Sequence, residues 1–352
     1  MAREKKLARK TIRTFVREGA AILLILTIAL VWVIILSLLL SKTPAKTLGY
    51  FFLGPLQNTY YFGNMLNGSI PLIFGGLGVS LAMRSGNFNL GGEGQIYSGA
   101  LVTTLCAISL APLGIVGAFL ALVLGALVAG ALAGVSGFLR MQWNTSELIT
   151  SFLLSNAVVL VVNHLISGPF LDPSTSLMAT RKIPEAFRLP LLLPPSNLSM
   201  ALPIAILAVV VVQLYLYKTK SGYELRMTGL NPFFAKYGGI DTRRYMVLPM
   251  VLSGALYGLG GGLAIYGTYY ASIKEFSSGM GWNGLAVALI AKSKPTAVIP
   301  AALFFAYIEA GARSAMLHSD VTFEIAAIVQ SIVFFLISSE VLLNLFTKRG
   351  KQ

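Results

Sequence analysis

Of the 352 residues, 56% are hydrophobic and only 11% are charged, against about 25% charged in a soluble domain. The net charge of +14 is distributed over short segments between apolar runs, the positive-inside pattern of a multi-pass membrane protein, which makes nucleic acid a poor explanation for the basicity. A single cysteine (Cys106) and two histidines distant in sequence (His164 and His318) exclude an internal disulfide and a Cys/His metal centre.

The chain opens with a basic segment, residues 1–19, expected in the cytoplasm. AAILLILTIALVWVIILSLLL follows from Ala20 to Leu40 without a charge. It is longer than a signal-peptide core, and SKTPAKTLGYFF after it offers no clear small-residue cleavage site, so a retained signal-anchor helix is expected. Nine further apolar runs follow, at 64–83, 95–110, 113–139, 147–168, 199–217, 246–267, 280–292, 297–314 and 321–346. An even number of crossings puts most of the 27 basic residues, including the tail at 347–352, on the side of the N-terminus. The fold class expected is an all-α, polytopic bundle of about ten transmembrane helices over residues 20–346, with both termini cytoplasmic.

Between the second and third runs lies SGNFNLGGEGQ, Ser85 to Gln95. Asn89 is a candidate cap for a helix whose first turn holds Gly91, Gly92 and Glu93. Glycine-rich backbone at a membrane boundary cannot face lipid. Either this is a broken helix bordering a solute path, to which Asn87, Asn89 and Gln95 offer hydrogen bonds, or it is a tight turn whose polar groups satisfy one another.

The fourth run carries small residues on two helical faces, Ala126, Gly130, Gly134 and Gly125, Ala129, Ala133, Gly137; the seventh repeats the pattern with Gly254, Gly258 and Gly262. Such faces predict close helix packing. Among the polar residues of the runs (Glu147, Asn156, His164, Glu309, Glu324 and Glu340), Asn156 is the most interior and is expected to bridge helices. No charged pair lies deep in the runs, which argues against ion coupling.

Residues 169–198 are proline-rich and expected to be external and largely irregular. Residues 218–245 are expected in the cytoplasm. There Asn231 is a helix N-cap, Pro232 fits the first helical position, and Gly238 or Gly239 stops the helix. Phe233, Phe234 and Tyr237 then stand exposed on a rod of about two turns, either as a docking knob for another protein or as an amphipathic segment on the membrane surface. Further on, SGMGWNGL (Ser278 to Leu285) echoes SGNFNLGG.

GYELRMTGLNPFFAKYGGID resembles the coupling loop of permease subunits in bacterial ABC importers of the ribose, branched-chain amino acid and nucleoside type. Gly222, Tyr223, Arg226, Gly229, Asn231, Ala235, Gly239 and Ile240 match the pattern; Phe234 replaces a common alanine. Asn89, Leu90, Gly91, Glu93, Gly94 and Gln95 resemble the N-I-G-x-E-G-Q stretch of the nucleoside-like branch. ELITSFLLSN and GWNGLAVALIAKSKPTAVIPAALFFA resemble two further blocks, and all four stand in family order.

The resemblance implies a permease of an ATP-driven importer in a prokaryotic inner membrane, moving a nucleoside, then in order of expectation a simple sugar or a branched-chain amino acid. It implies coupling to an ATPase through Asn231, Pro232, Phe233, Phe234, Ala235, Tyr237, Gly238 and Gly239. The path is expected to involve Asn87, Asn89, Glu93, Gln95, Asn156, Trp282 and Asn283. This chain has no P-loop: its Gly-Lys pair, Gly350–Lys351, lacks the flanking motif. ATP and Mg are therefore expected on a partner ATPase, with no cofactor, metal or catalytic residue here. A second permease chain, identical or not, an extracytoplasmic solute-binding protein and the bilayer complete the expected partners. A stand-alone secondary transporter or channel is the alternative.

Overall fold

The computed structural model describes residues 27–338, apart from 29 and 323. The basic segments 1–19 and 347–352, both termini, and Glu340 lie outside the described residues. No strand occurs among those described, only two isolated bridges, Ala179 with Ile273 and Leu191 with Ser199. The chain divides into two compact units, residues 58–306 and the remainder.

The larger unit is built around α3, Thr59–Arg84, which starts at Asn58, whose side chain accepts from the Tyr61 N–H (2.9 Å). Around α3 stand α4 (Gly92–Ser109), α5 (Gly114–Trp143), α6 (Glu147–Ser167), α7 (Ala201–Lys218), α8 (Lys220–Leu230), α9 (Pro232–Tyr237), α10 (Arg244–Ala264) and α11 (Met280–Ile290). The start of α12 (Pro295–His318) also belongs here. Among the described residues, six helices are long and apolar enough to cross a membrane: α3, α5 with the turn before it, α6, α7, α10 with the π-turn Ile265–Tyr269, and α12.

The small-residue faces do what their spacing predicts. Gly130 of α5 faces the Val251 carbonyl of α10, Gly137 the Met246 carbonyl, Gly254 the Ala129 carbonyl, and Gly258 the Gly125 carbonyl. Backbone lies against backbone along the whole crossing, so dispersion and weak Cα–H···O contacts replace the hydrophobic drive that lipid removes. Gly99 and Gly261 bring α4 onto α10 in the same way.

Residues 169–198 are irregular, as their prolines require, with one 3-10 turn at Glu185–Phe187. They lie along residues 266–274: the N–H groups of Leu189, Ile183 and Thr180 donate to Tyr266, Tyr270 and Ser272 carbonyls (2.9, 2.8 and 3.0 Å). Phe187 packs beneath Tyr266.

In the smaller unit are α1 (Leu30–Leu40), α2 (Pro44–Leu53), the rest of α12, and α13 (Glu324–Ser338). Asp320 clasps the α1–α2 turn. It accepts from Ser41 Oγ and the Lys42 N–H, both at 2.6 Å. Those bonds hold its carboxyl well below the usual range, at about 2. Tyr307 Oη donates to the Phe52 carbonyl (2.7 Å) and Tyr50 stacks on His318 at 4.4 Å. Over their described parts, each of the ten expected spans overlaps one helix, and α2, α8 and α9 lie outside them; six of the described helices have the length and apolarity to cross a membrane.

Candidate functional site: the helix pair of residues 218–245 and the turn beneath it

Residues 218–245 form a helix pair rather than one short rod. Thr219 caps α8 by accepting from the Gly222 N–H (3.0 Å). Gly222 lets α8 turn tightly against the Tyr215 and Leu216 backbone at the end of α7. Arg226 then donates Nε–H to the Leu216 carbonyl (3.0 Å) and lies over the Tyr217 ring, so the open C-terminus of α7 is both capped and charge-compensated.

At Asn231 the chain turns. Its side chain accepts from the Phe234 N–H (3.0 Å), with Pro232 at the first helical position, and the six-residue α9 follows. Gly239 ends it at φ +80°, in the left-handed region. Ala235 faces inward at 1% exposure, while Phe233, Phe234 and Tyr237 are 77%, 67% and 94% exposed. Leu230 before them is 78% exposed and Tyr223 51%. These large apolar side chains form an exposed patch on the segment joining α7 to α10. Gly238 is also exposed, beside the stop.

The opposite side of α8 is fixed to the molecule. Gly229 rests on the Arg84 carbonyl and the Ser85 backbone at the end of α3. Below it, Gly86 sits at φ +76°. Tyr245, at the start of α10, donates Oη–H to Glu224 of α8 (2.7 Å) and accepts at its carbonyl from Asn87 Nδ2 (2.9 Å).

The same turn is held from the other side by Arg140, which donates to Gly86 O (3.0 Å), Asn87 Oδ1 (2.6 Å) and Glu147 Oε1 (2.7 Å). Glu147 also accepts from the Phe88 N–H (3.2 Å). The end of α3, the starts of α6 and α10, the end of α5, and α8 therefore meet at residues 84–88.

Beyond the turn, the polar groups satisfy one another. Asn89 and Gln95 exchange amide hydrogen bonds (2.8 and 2.9 Å), and Asn89 Nδ2 also donates to Ser253 Oγ (2.9 Å). Asn87, Asn89 and Gln95 are at most 3% exposed. Asn89 accepts from the Gly91 N–H (2.9 Å), a local turn; the residue preceding α4 is Gly91, so Asn89 is not the helix cap. Its amide is claimed by partners on α4 and α10 instead.

Glu93 reaches further than expected. From the first turn of α4 its two oxygens accept from the Gly279 and Gly281 N–H groups (3.0 and 2.9 Å), at the start of α11. Gly281 lies directly on the Gly92 and Glu93 backbone. The two echoing glycine-rich stretches are thus two helix N-termini in contact. One carboxylate stands between them, where both dipoles favour it. Tyr257, fully buried, closes the junction by donating to the Gly281 carbonyl (3.1 Å).

Asn156 does not bridge helices within the chain. It is exposed and donates to the Phe152 carbonyl of its own helix (2.9 Å). Trp282 is 42% exposed and meets Phe152 edge to face at 5.9 Å, with Asn283 half-buried next to it.

Comparison with known proteins completes the picture. The family described as the permease component of the branched-chain amino acid transport system matches residues 61–338. The probable riboflavin import permease protein of Treponema pallidum is 36% identical over 303 residues, 86% of this chain and 80% of that protein. The glucose ABC transporter permease protein of Haloferax volcanii is 30% identical over 344 residues, 94% and 90% of the two chains. A guanosine ABC transporter permease protein of Bacillus subtilis is 30% identical over 292 residues, 81% and 83%. The docked helix pair, the six long apolar helices and the family match over most of the chain agree. The protein belongs to the branched-chain amino acid transport system permease family, and is a multi-pass inner-membrane permease subunit of a prokaryotic ABC importer, a transport component rather than a catalyst.

Proposed function

We propose that α9 is the coupling helix through which a separate ATPase, carrying ATP and Mg, drives this permease, and that the solute is a nucleoside. The observation that carries the first part is the exposure of Phe233, Phe234 and Tyr237 at one end of a helix pair whose other end rests on residues 84–86. Closure of the ATPase pushes α9. The push passes through Asn231 and Gly229 into the turn at 84–88, and from there into α3, α6 and α10. The alternating-access switch is that movement.

In this reading the chain crosses ten times with both termini in the cytoplasm, so that α8 and α9 face the ATPase and residues 169–198 lie outside, where a solute-binding protein delivers its load. A second permease chain, identical or homologous, completes the path. Asn87, Asn89, Glu93 and Gln95 act by setting the half-helices α4 and α11, since their polar atoms are engaged in this conformation. Asn156, Trp282 and Asn283 are the members of the expected set left facing outward or partly so.

Relatives named for guanosine and for nucleosides, in Bacillus subtilis and Lactococcus lactis, support a nucleoside ahead of a simple sugar or a branched-chain amino acid. Riboflavin is a second reading, favoured by the Treponema similarity; like a nucleoside it joins a planar heterocycle to a hydroxylated five-carbon group, open-chain rather than cyclic. The test is uptake into proteoliposomes holding the permeases, ATPase and binding protein. ATP-dependent guanosine uptake, competed by other nucleosides and not by glucose or leucine, is expected. Uptake driven by a proton or sodium gradient without an ATPase would overturn the assignment.

A further inference from the structure

We propose that the flank of α6 bearing Phe152, Asn156 and Asn163, with the segment 275–282 beside it, is a water-lined wall of the solute path. In that wall Phe152 and Trp282 form a step for an uncharged planar heterocycle. The proposal rests on the importer reading above and extends it to a particular surface.

The depth of this surface follows from its contacts. At its outer end Tyr97 donates Oη–H to Asn163 Oδ1 (2.6 Å) and accepts from the Glu275 N–H (2.8 Å). At its inner end Trp282 meets Phe152. From residue 163 to 152, α6 rises about 16 Å, and its own end at Ser167 is only about 6 Å beyond Asn163. Residues 275–282 therefore lie alongside the middle of a membrane-crossing helix.

Much of that stretch is not helical. Glu275, Ser278 and Gly279 have φ of 60°, 36° and 90°, and α11 begins only at Met280. Glu275 and Ser278 are exposed, as is Asn156 on the helix alongside. The irregular backbone at Ser278 and the outward-facing Asn156 amide lie at this depth and cannot be solvated by lipid; they require water, and Glu275, nearer the outer end beside Asn163 Nδ2 (3.5 Å), opens onto the same surface.

The chemistry of the wall selects a class of solute. The exposed edge of the Phe152–Trp282 pair stacks a planar ring. Asn156 supplies a donor and an acceptor for ring heteroatoms or hydroxyls. Glu275 accepts from hydroxyl groups and repels anions, so a nucleoside fits and its phosphorylated form does not.

The test uses the full transporter in nanodiscs, with Cys106→Ala as background and Ser278→Cys or Asn156→Cys added singly. A thiol reacts as the thiolate, so a charged methanethiosulfonate reagent reports water. Both variants should label, with guanosine plus binding protein slowing the reaction. Val161→Cys, also exposed but about 140° round α6, should stay unlabelled. Glu275→Gln should reduce the preference of Ser278→Cys for a cationic over an anionic reagent by roughly threefold.

Failure of both variants to label in every nucleotide state, as a face buried against the second permease chain would show, overturns the wall. Equal labelling of Val161→Cys overturns it as well. Labelling slowed by glucose and not by guanosine overturns the solute class while the wall stands. Uptake powered by an ion gradient would instead strike the importer reading.

Discussion

Gly229 of α8 and Gly86 of the turn after α3 meet backbone to backbone: the Gly229 α-carbon lies 3.3 Å from where a β-carbon on Gly86 would stand. Gly86 at φ +76° tolerates no side chain cheaply. The contact therefore admits two glycines and little else, and it joins the exposed loop to the membrane helices without a flexible side chain between them.

Gly229→Val should lever α8 off the Arg84 carbonyl. The expected outcome is a loss of uptake of tenfold or more, equivalent to about 1.4 kcal/mol in the switching equilibrium. The ATPase should still co-purify, because α9 is untouched. ATP turnover and uptake measured on the same proteoliposomes check this; both falling in proportion would mean that docking, not transmission, was lost.

Glu93→Ala removes the acceptor shared by the Gly279 and Gly281 N–H groups. Leaving buried donors unpaired costs about 1–3 kcal/mol, so a thermal unfolding curve in detergent should shift downward. Glu93→Gln keeps one acceptor oxygen and should fall between the two. A Glu93→Ala protein as stable as the parent would show that water replaces the carboxylate.

Arg140→Ala leaves Glu147, Asn87 Oδ1 and the Gly86 carbonyl without their shared donor. A loss of about 1–3 kcal/mol is expected, and the double variant Arg140→Met, Glu147→Leu should recover part of it, since it removes the stranded charge as well. Chemical denaturation of the parent, Arg140→Met, Glu147→Leu and the double variant completes a cycle that measures the coupling.

The Asp320 clasp has a defined pH window. Its folded value, about 2, lies below the ordinary value of 3.8, so its contribution is complete above the latter and is lost as pH falls through the former. Between pH 5 and 8 stability should not respond to this group. Asp320→Asn should remove the part of the acid sensitivity near pH 3 that this carboxyl contributes, read from thermal unfolding curves of the two proteins.

The parts readable from sequence were those governed by local rules. Asn231, Pro232 and Gly239 specified α9 because capping, fixed φ and a left-handed stop act within a few residues. Glycine spacing specified close packing of the two small-residue faces, because in lipid only small residues allow it; that α5 and α10 pack on each other came from the structure. The α8 helix was hidden by Gly222 and Gly229, which weaken helix propensity but are required by the backbones they touch. The partners of Glu93 and Asn89 lie on α10 and α11, far along the chain. Asn156 shows the limit of periodicity, which locates a residue along a helix but not the direction it faces.

The central claim is that α9 receives force from a separate ATPase. Phe233→Ala combined with Phe234→Ala tests it most directly, by solute uptake and ATPase co-purification from membranes in which insertion of the permease is verified. The account predicts normal insertion, little bound ATPase and no ATP-driven uptake. Uptake equal to that of the parent would contradict it.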